Sequence, residues 1–340
     1  MRAAIYNPYL NTLGGGERYT VAVASALVNA GYKVDIEWKS KSIKKRLEER
    51  FGIDLSGVNF VRDIKRGDGY EVCFWVSAGS IPVLRARKNL LHFQVPFHGV
   101  GGRTLLNKMK LFKINKIICN SHFTKEIIDK EYGVNSVVIY PPVSVSKIKA
   151  KRKQNWILFV GRFSQLTQAK NQDVLIKAFK KFSKEFTDWE LILAGGVEVG
   201  VGDYLERLKK LAEGYPVRII ESPSFKEIVS LYGQSKVFWS AAGFGMSEEK
   251  EPEKIEHFGI TVVEAMAGGS VPVVYGAGGH KEIVDHGKTG YLWKSEKDLL
   301  TFTKNLLKTR GLLSKMAEQA KIASQVYEVD RFEQEFLELL

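Results

Sequence analysis

Cysteine is nearly absent from this 340-residue chain: only Cys73 and Cys119 occur, each inside an apolar run. The plain reading is two buried free thiols in a reducing cytoplasm, not a disulfide or a thiolate metal site. Long hydrophobic runs are missing too. No 18 consecutive apolar residues occur, so no spanning helix is expected. The opening "MRAAIYNPYL" reads as a first strand, too short and polar for a signal peptide. The Gly-x-Gly-x-x-Gly spacing of dinucleotide-binding turns is absent, as are short-period repeats and low-complexity tracts. No Asp-x-Asp pair occurs either, so the sequence does not require a catalytic metal.

What is present is an ordinary soluble composition, 44% hydrophobic and 26% charged, long enough to divide into two domains. The net charge of +13 is uneven. Residues 1–150 hold 24 Lys and Arg against 12 Asp and Glu, whereas residues 151–340 hold 27 against 26. One half therefore points to an anionic partner: a membrane surface, an acidic acceptor or nucleic acid. Strand-like runs alternate with helical patterns. "RAAIY" precedes a helix near 17–30, and "YKVDIEW", "EVCFWV", "LLHFQV", "KIICNS" and "SVVIYPPV" follow. After the basic "SKIKAKRKQ" the rhythm restarts with "WILFVGR", "WELILAGG", "VRIIE", "KVFWSAA" and "VPVVYG". This is the signature of parallel sheets covered by helices, with two such sheets in tandem. In such sheets ligands settle beyond the carboxyl ends of the strands.

Three constellations lie at such positions, and a fourth falls within a strand-like run. "NTLGGGER" follows the first strand. Its glycines Gly14, Gly15 and Gly16 suit either close backbone approach to a ligand at a helix N-terminus or simply a tight turn. In "FVGRFSQLTQAKNQ", Arg162 and Lys170 are two cations suited to a diphosphate, or else a solvated surface pair. In "EHFGITVVEAMAGG", Gly259 opens a helix whose first N–H groups, at Ile260 and Thr261, can face a phosphate. Glu256 precedes that helix and Glu264 lies about one turn inside it, where a carboxylate needs hydrogen bonds. Sugar and ribose hydroxyls would supply them; a capping acid plus a structural ion pair is the plainer alternative. Finally, His92 in "LLHFQVPF" sits beside aromatics, a setting more common for a core histidine than for a catalytic one.

Taken in order, "LGGGERYT", "HFQVPF", "IICNSHFTKEII", "VIYPPVS", "FVGRFSQLTQAKNQDVLIKAF", "LILAGG", "FWSAAGFG", "EHFGITVVEAMAGGSVPVV" and "GGHKEIVDHGKTGYLW" span nearly the whole chain. The combination resembles a retaining glycosyltransferase of the GT-B fold, in the large family with a glutamate–seven residues–glutamate motif. That resemblance implies two Rossmann-like domains with parallel sheets facing a central cleft. The expected boundaries are 1–148 on the acceptor side, 149–325 for the nucleotide sugar, and a terminal helix over 326–340 returning to the first domain. It also implies roles. His92, Glu256, Arg162 and Lys170 would be catalytic: His92 near the anomeric carbon, Glu256 on sugar hydroxyls, the two cations on the diphosphate. Gly15, Gly16, Phe258, Gly259, Ile260, Thr261 and Glu264 would complete the donor site, with Glu264 on the ribose and the base against Ser222–Phe225. Where the family often has proline before Glu282, this chain has His280, and "YPPV" replaces a commoner asparagine–glycine turn. The chain looks like the branch of mannosyltransferases that extend lipid-linked oligosaccharides, which favours GDP-mannose, although UDP-hexoses serve many relatives.

The expected reaction moves a hexose to an acceptor hydroxyl with retention, without cofactor or metal. The departing phosphate oxygen would deprotonate the acceptor on the same face, and domain closure would exclude water. The expected partners are a nucleoside diphosphate sugar and a glycan or lipid-linked acceptor. Arg85, Arg87 and Lys88, with the mixed basic and apolar "RTLLNKMKLFKINK", suit an anionic membrane surface, or a solvated helix face. The expected location is cytoplasmic, peripheral at the membrane. A nucleotide-sugar epimerase or phosphorylase on the same fold is one rival reading. A basic nucleic-acid-binding protein is another, but no nucleic-acid module is recognisable and none is expected as partner. A silent sugar-nucleotide sensor is a third.

Overall fold

The β-branched and aromatic runs become strands, and the amphipathic stretches between them become helices. A computed structural model describes residues 1–164, 168–197 and 202–340. Gln165, Leu166 and Thr167, in the middle of the Arg162–Lys170 stretch, lie outside the described residues. The chain forms two units: Met1–Pro142 with Val329–Leu340, and Val143–Glu328.

In the first unit the order is β1 (Arg2–Tyr6), α1 (Gly15–Asn29), β2 (Lys33–Glu37), α2 (Ile43–Phe51), β3 (Val58–Val61), β4 (Val72–Val76), β5 (Lys88–Phe93), α3 (Leu105–Leu111), β6 (Lys116–Cys119), α4 (His122–Tyr132) and β7 (Val137–Val138). The sheet runs β3-β2-β1-β4-β5-β6-β7 with every pairing parallel. Ala3, Ala4 and Ile5 are buried, as expected for a central strand covered on both faces. The strand order reverses between β1 and β4, where the crossovers begin to wind the other way.

The second unit holds β8 (Gln154–Val160), α5 (Gln172–Phe182), β9 (Glu190–Gly195), α6 (Gly202–Ala212), β10 (Val217–Glu221), α7 (Phe225–Gln234), β11 (Ser235–Ser240), α8 (Ile260–Ala267), β12 (Val271–Tyr275), α9 (His280–Ile283), β13 (Tyr291–Trp293), α10 (Glu296–Lys308) and α11 (Leu312–Ser324). Its parallel sheet runs β10-β9-β8-β11-β12-β13, reversing between β8 and β11. Ser224 and Ser295 begin α7 and α10 as N-caps, each with an acid three residues on that returns to the cap. The last helix, α12 (Val329–Leu337), belongs to the first unit. It buries Phe332 and Phe336 there, Phe332 edge-on to Tyr19.

Both cysteines are free and buried. Among the described residues no helix is long and apolar enough to cross a membrane.

Candidate active site

Arg162 and Lys170 follow β8, and Glu256 follows β11, so the three residues leave the two strands that flank the reversal of the second sheet. That is where an open parallel sheet leaves room for a ligand. Lys170 Nζ lies 2.7 Å from Glu256 Oε2 and 2.7 Å from Gln168 Oε1. Gln168 Nε2 in turn donates to the Ile255 carbonyl, next to Glu256. The two charged side chains are only 14% and 16% exposed. Asn171 locks the same corner, its amide donating to the Ala241 and Phe244 carbonyls at 3.0 and 3.1 Å. Gln172 Nε2 reaches the Arg162 carbonyl at 2.8 Å.

A second segment closes on this corner from β12. The Gly276–Gly279 turn lies against the Glu256–Phe258 backbone, with Gly279 N–H donating to the Glu256 carbonyl at 2.8 Å. The approach leaves no space for side chains. A Cβ on Gly278 would stand 2.3 Å from the Glu256 carbonyl oxygen, and one on Gly279 would stand 2.3 Å from Phe258 Cα. Glu248 holds the turn by accepting from Gly278 N–H at 2.6 Å. His280 follows, 1% exposed, with Nδ1 2.8 Å from the Tyr275 carbonyl.

Gly259, at φ +112°, caps the start of α8, a backbone angle that favours glycine. The first-turn N–H groups of Ile260 and Thr261 have no acceptor within the helix and carry the positive end of its dipole. Phe258 is buried against Tyr327. One turn on, Glu264 is buried and accepts from Tyr232 Oη of α7 at 2.7 Å. The sequence asked for a donor to this acid and offered ribose hydroxyls; the structure supplies a protein hydroxyl as well. Ser222, at φ +47°, starts the Ser222–Phe225 loop.

Electrostatics follows from these contacts. Burial alone would raise the Glu256 carboxyl, but Lys170, His280 and His257 outweigh it and hold the group below its ordinary range. For His280, burial lowers the imidazole and Lys170 adds to the effect; Glu256 and the Tyr275 carbonyl oppose it.

In the first unit, Gly15 and Gly16 begin α1. Glu17 folds back on the turn, accepting from Gly14 N–H at 2.7 Å and Thr12 Oγ1 at 2.6 Å. A Cβ on Gly16 would meet the Gln94 side chain at 2.0 Å. His92 is fully buried on β5, its Nδ1 3.1 Å from the Ile118 carbonyl. Its ring stacks on Tyr19 of α1 at 4.1 Å between centroids. Burial drives its pKa down to about 3, against the hydrogen bond to Ile118.

The structure thus brings Lys170, Glu256, Gly259 and His280 together in the second unit. The glycine turn and His92 are linked in the first through Tyr19. Gln168, Asn171, Tyr232, Glu248 and His280 were not singled out as site residues by sequence reasoning. Only His280 had a signal, its place in a glycine-rich turn after a strand.

The basic segment of the first unit lies at the surface. Gly99, Val100 and Gly102 N–H groups all donate to Glu131, and Arg103 donates to the Lys130 carbonyl, which anchors the base of α3 to α4. No residue of α3 is buried: Leu105, Leu106 and Met109 are exposed, and Phe112 beyond them is 94% exposed. Arg87, by contrast, pairs with Glu71, and Lys88 donates to the Leu340 carbonyl.

A family model described as "Glycosyl transferases group 1" matches residues 143–323. Over 244 residues the chain is 26% identical to a GDP-Man:Man(3)GlcNAc(2)-PP-Dol alpha-1,2-mannosyltransferase of Dictyostelium discoideum, covering 68% of this chain and 47% of that protein. It therefore spans about half the length of that relative. An uncharacterized glycosyltransferase of Haemophilus influenzae is 24% identical over 366 residues, covering 97% of each chain. Among solved structures, Anabaena Alr3699/HepE in complex with UDP matches with a TM-score of 0.78 at 17% identity, over 99% of both chains. At that identity the likeness is one of fold.

Proposed function

The chain belongs to the group 1 glycosyl transferases and has the GT-B fold of two Rossmann-like parallel-sheet units, and from that premise we propose that it moves a hexose from a nucleoside diphosphate sugar to an acceptor hydroxyl with retained configuration. The observation that carries this reading is the meeting of Lys170, Glu256 and the open start of α8 beyond β8 and β11. A diphosphate needs cations and N–H donors as its bond to the sugar breaks, and a hexose needs acceptors for its hydroxyls. An ammonium has three donors, and those of Lys170 toward Glu256 and Gln168 leave one for a phosphate oxygen. Arg162 adds a second cation, so the charge is met without a metal. The departing phosphate oxygen takes the proton of the attacking hydroxyl on the same face. Glu264 receives the ribose.

The donor is GDP-mannose or a UDP-hexose. The Dictyostelium relative's name specifies GDP-mannose, and the Anabaena structure holds UDP. The acceptor is a lipid-linked or membrane-associated glycan, met at the cytoplasmic membrane face. The relative's dolichol-linked substrate and the exposed apolar and basic α3 both support that choice.

A thermal-shift panel of UDP-, GDP- and ADP-sugars tests the reading, since a ligand of the folded state raises its apparent stability. Glu264→Ala should weaken every nucleotide, and Glu256→Ala should mainly impair use of the sugar. Turnover with chelator present should equal turnover without it. Intact donor turnover in both variants would overturn the site assignment.

A further inference from the structure

The His280 ring has one nitrogen that the site described so far leaves unused. Nδ1 faces the Tyr275 carbonyl, which can only accept, so Nδ1 carries the proton. In the neutral ring Nε2 is then a bare acceptor. It is buried, and among the described residues it has no hydrogen-bond partner. Cδ2, the carbon bonded to Nε2, lies 3.2 Å from the point where a Gly259 Cβ would be, so this edge of the ring faces the start of α8. Glu256 and Lys170 are close enough to act on its charge. A buried acceptor without a donor destabilises the fold, so the arrangement suits a ligand that brings the donor.

The chemistry narrows what that ligand group is. Phosphate oxygens only accept, and two acceptors repel. Lys170 points two of its three donors to Glu256 and Gln168, and the third is the one left for a phosphate oxygen. A sugar hydroxyl can donate, and the Glu256 carboxylate, near enough to act on the charge of the ring, is a second acceptor for a neighbouring hydroxyl.

Resting on the nucleotide-sugar reading, we propose that His280 Nε2 accepts a hydrogen bond from one hydroxyl of the transferred hexose and so helps to determine which hexose is used. The Gly276–Gly279 turn fixes the ring by seating its backbone on Glu256, so the imidazole and the carboxylate keep a constant spacing. Where a proline would stand in many relatives by the resemblance above, no such acceptor exists.

The test uses this 340-residue chain with GDP, UDP, GDP-mannose and UDP-glucose, and with deoxy and fluoro analogues of whichever sugar is transferred. His280→Asn keeps a donor for Tyr275 but removes the acceptor, whereas His280→Gln can return one. Wild type should lose on the order of tenfold in kcat/KM when one particular hydroxyl is replaced. In His280→Asn that discrimination should fall to near unity while affinity for the free nucleoside diphosphate stays the same, and His280→Gln should restore part of it. Unchanged discrimination at every ring position in His280→Asn overturns the inference while leaving the nucleotide-sugar reading intact. Failure of the wild-type chain to bind any of the four nucleotides overturns both. Should His280→Asn fail to fold, the histidine 15N spectrum of wild type decides. The Nε2 resonance should move with the nucleotide sugar and not with the nucleoside diphosphate; no movement with either overturns the inference.

Discussion

Lys170 Nζ sits 2.7 Å from Glu256 Oε2, an ion pair between residues 86 positions apart, beyond the two strands at which the second sheet changes direction. The pair is mostly shielded from water, so each charge depends on the other. Removing one partner of a buried pair commonly costs ~3–5 kcal/mol, because the other charge is left uncompensated.

Lys170→Met should therefore lower stability by about 3 kcal/mol at neutral pH, and part of that loss should return in Lys170→Met/Glu256→Gln. The pH dependence has a definite sign. In wild type the Glu256 carboxyl lies below its ordinary value, so its contribution is present above the unfolded value and is lost as pH falls through the folded one. Without Lys170, burial is opposed less and the carboxyl should titrate higher. Urea titrations of wild type, Lys170→Met, Glu256→Gln and the double variant across pH check this, and full additivity of the two substitutions would refute the coupling. Transfer should fall by roughly 100-fold or more in Lys170→Met, the effect of losing one preorganised electrostatic group.

Tyr232→Phe probes the other acid. Glu264 loses the hydroxyl that donates to Oε2, and stability should fall by about 1–2 kcal/mol. Added nucleotide should narrow the difference in Tm from wild type, since ribose hydroxyls can donate to the freed oxygen. In Glu264→Ala no such narrowing should occur. A Tyr232→Phe difference that stays constant across nucleotide concentrations would remove Glu264 from the ribose.

His92 makes a prediction for acid stability. Burial holds its pKa at about 3, whereas the unfolded chain takes up the proton near the usual 6.5. Stability is fully present above the unfolded value and falls as pH drops between the two, by about 2 kcal/mol at pH 5. His280, also lowered, acts in the same direction. Replacing His92 by Phe, whatever it does to absolute stability, should reduce the slope of stability against pH between 6.5 and 3. An unchanged slope would place the titration elsewhere.

How much of this was legible in the sequence depended on whether the determinant was local. Apolar runs bounded by turns marked the central strands, and residues just after "WILFVGR" and "KVFWSAA" did prove to leave β8 and β11. The α2–β3 segment passed unnoticed, because α2 is mostly charged and β3 is a four-residue edge strand. "SVVIYPPV" read as a full strand, yet the strand covers only Val137–Val138, with Ile139 N–H still donating to the Cys119 carbonyl before Pro141 and Pro142, which lack a backbone donor. The candidate site showed the same division. Glu256, Lys170 and Glu264 were chosen by residue type and position, with a solvated pair or a structural ion pair as the plainer alternatives, but the protein partner of each was not named. The Lys170–Glu256 pair, the Tyr232 donor and the seating of the His280 turn are contacts between distant segments. No local pattern encodes them.

The α3 segment gives the last prediction. Leu111 packs against the core around Phe93 and Tyr132, but the other large apolar side chains are exposed, so replacing Leu105, Leu106, Met109 and Phe112 by Ser should change stability by less than ~0.5 kcal/mol per site. Membrane association should respond differently. Each basic residue at an anionic surface contributes about 1 kcal/mol, so Lys108→Gln/Lys110→Gln/Lys113→Gln should weaken binding to anionic vesicles by roughly 100-fold and leave neutral vesicles unaffected. The serine variant should lose binding to both, since it removes the inserted surface. Raising salt should mimic the lysine variant. Cosedimentation with phosphatidylserine and phosphatidylcholine vesicles separates these outcomes. Equal partitioning of wild type to the two lipids would remove the basic contribution, and undiminished binding of both variants would mean that α3 is a solvated helix and that the acceptor is met without it.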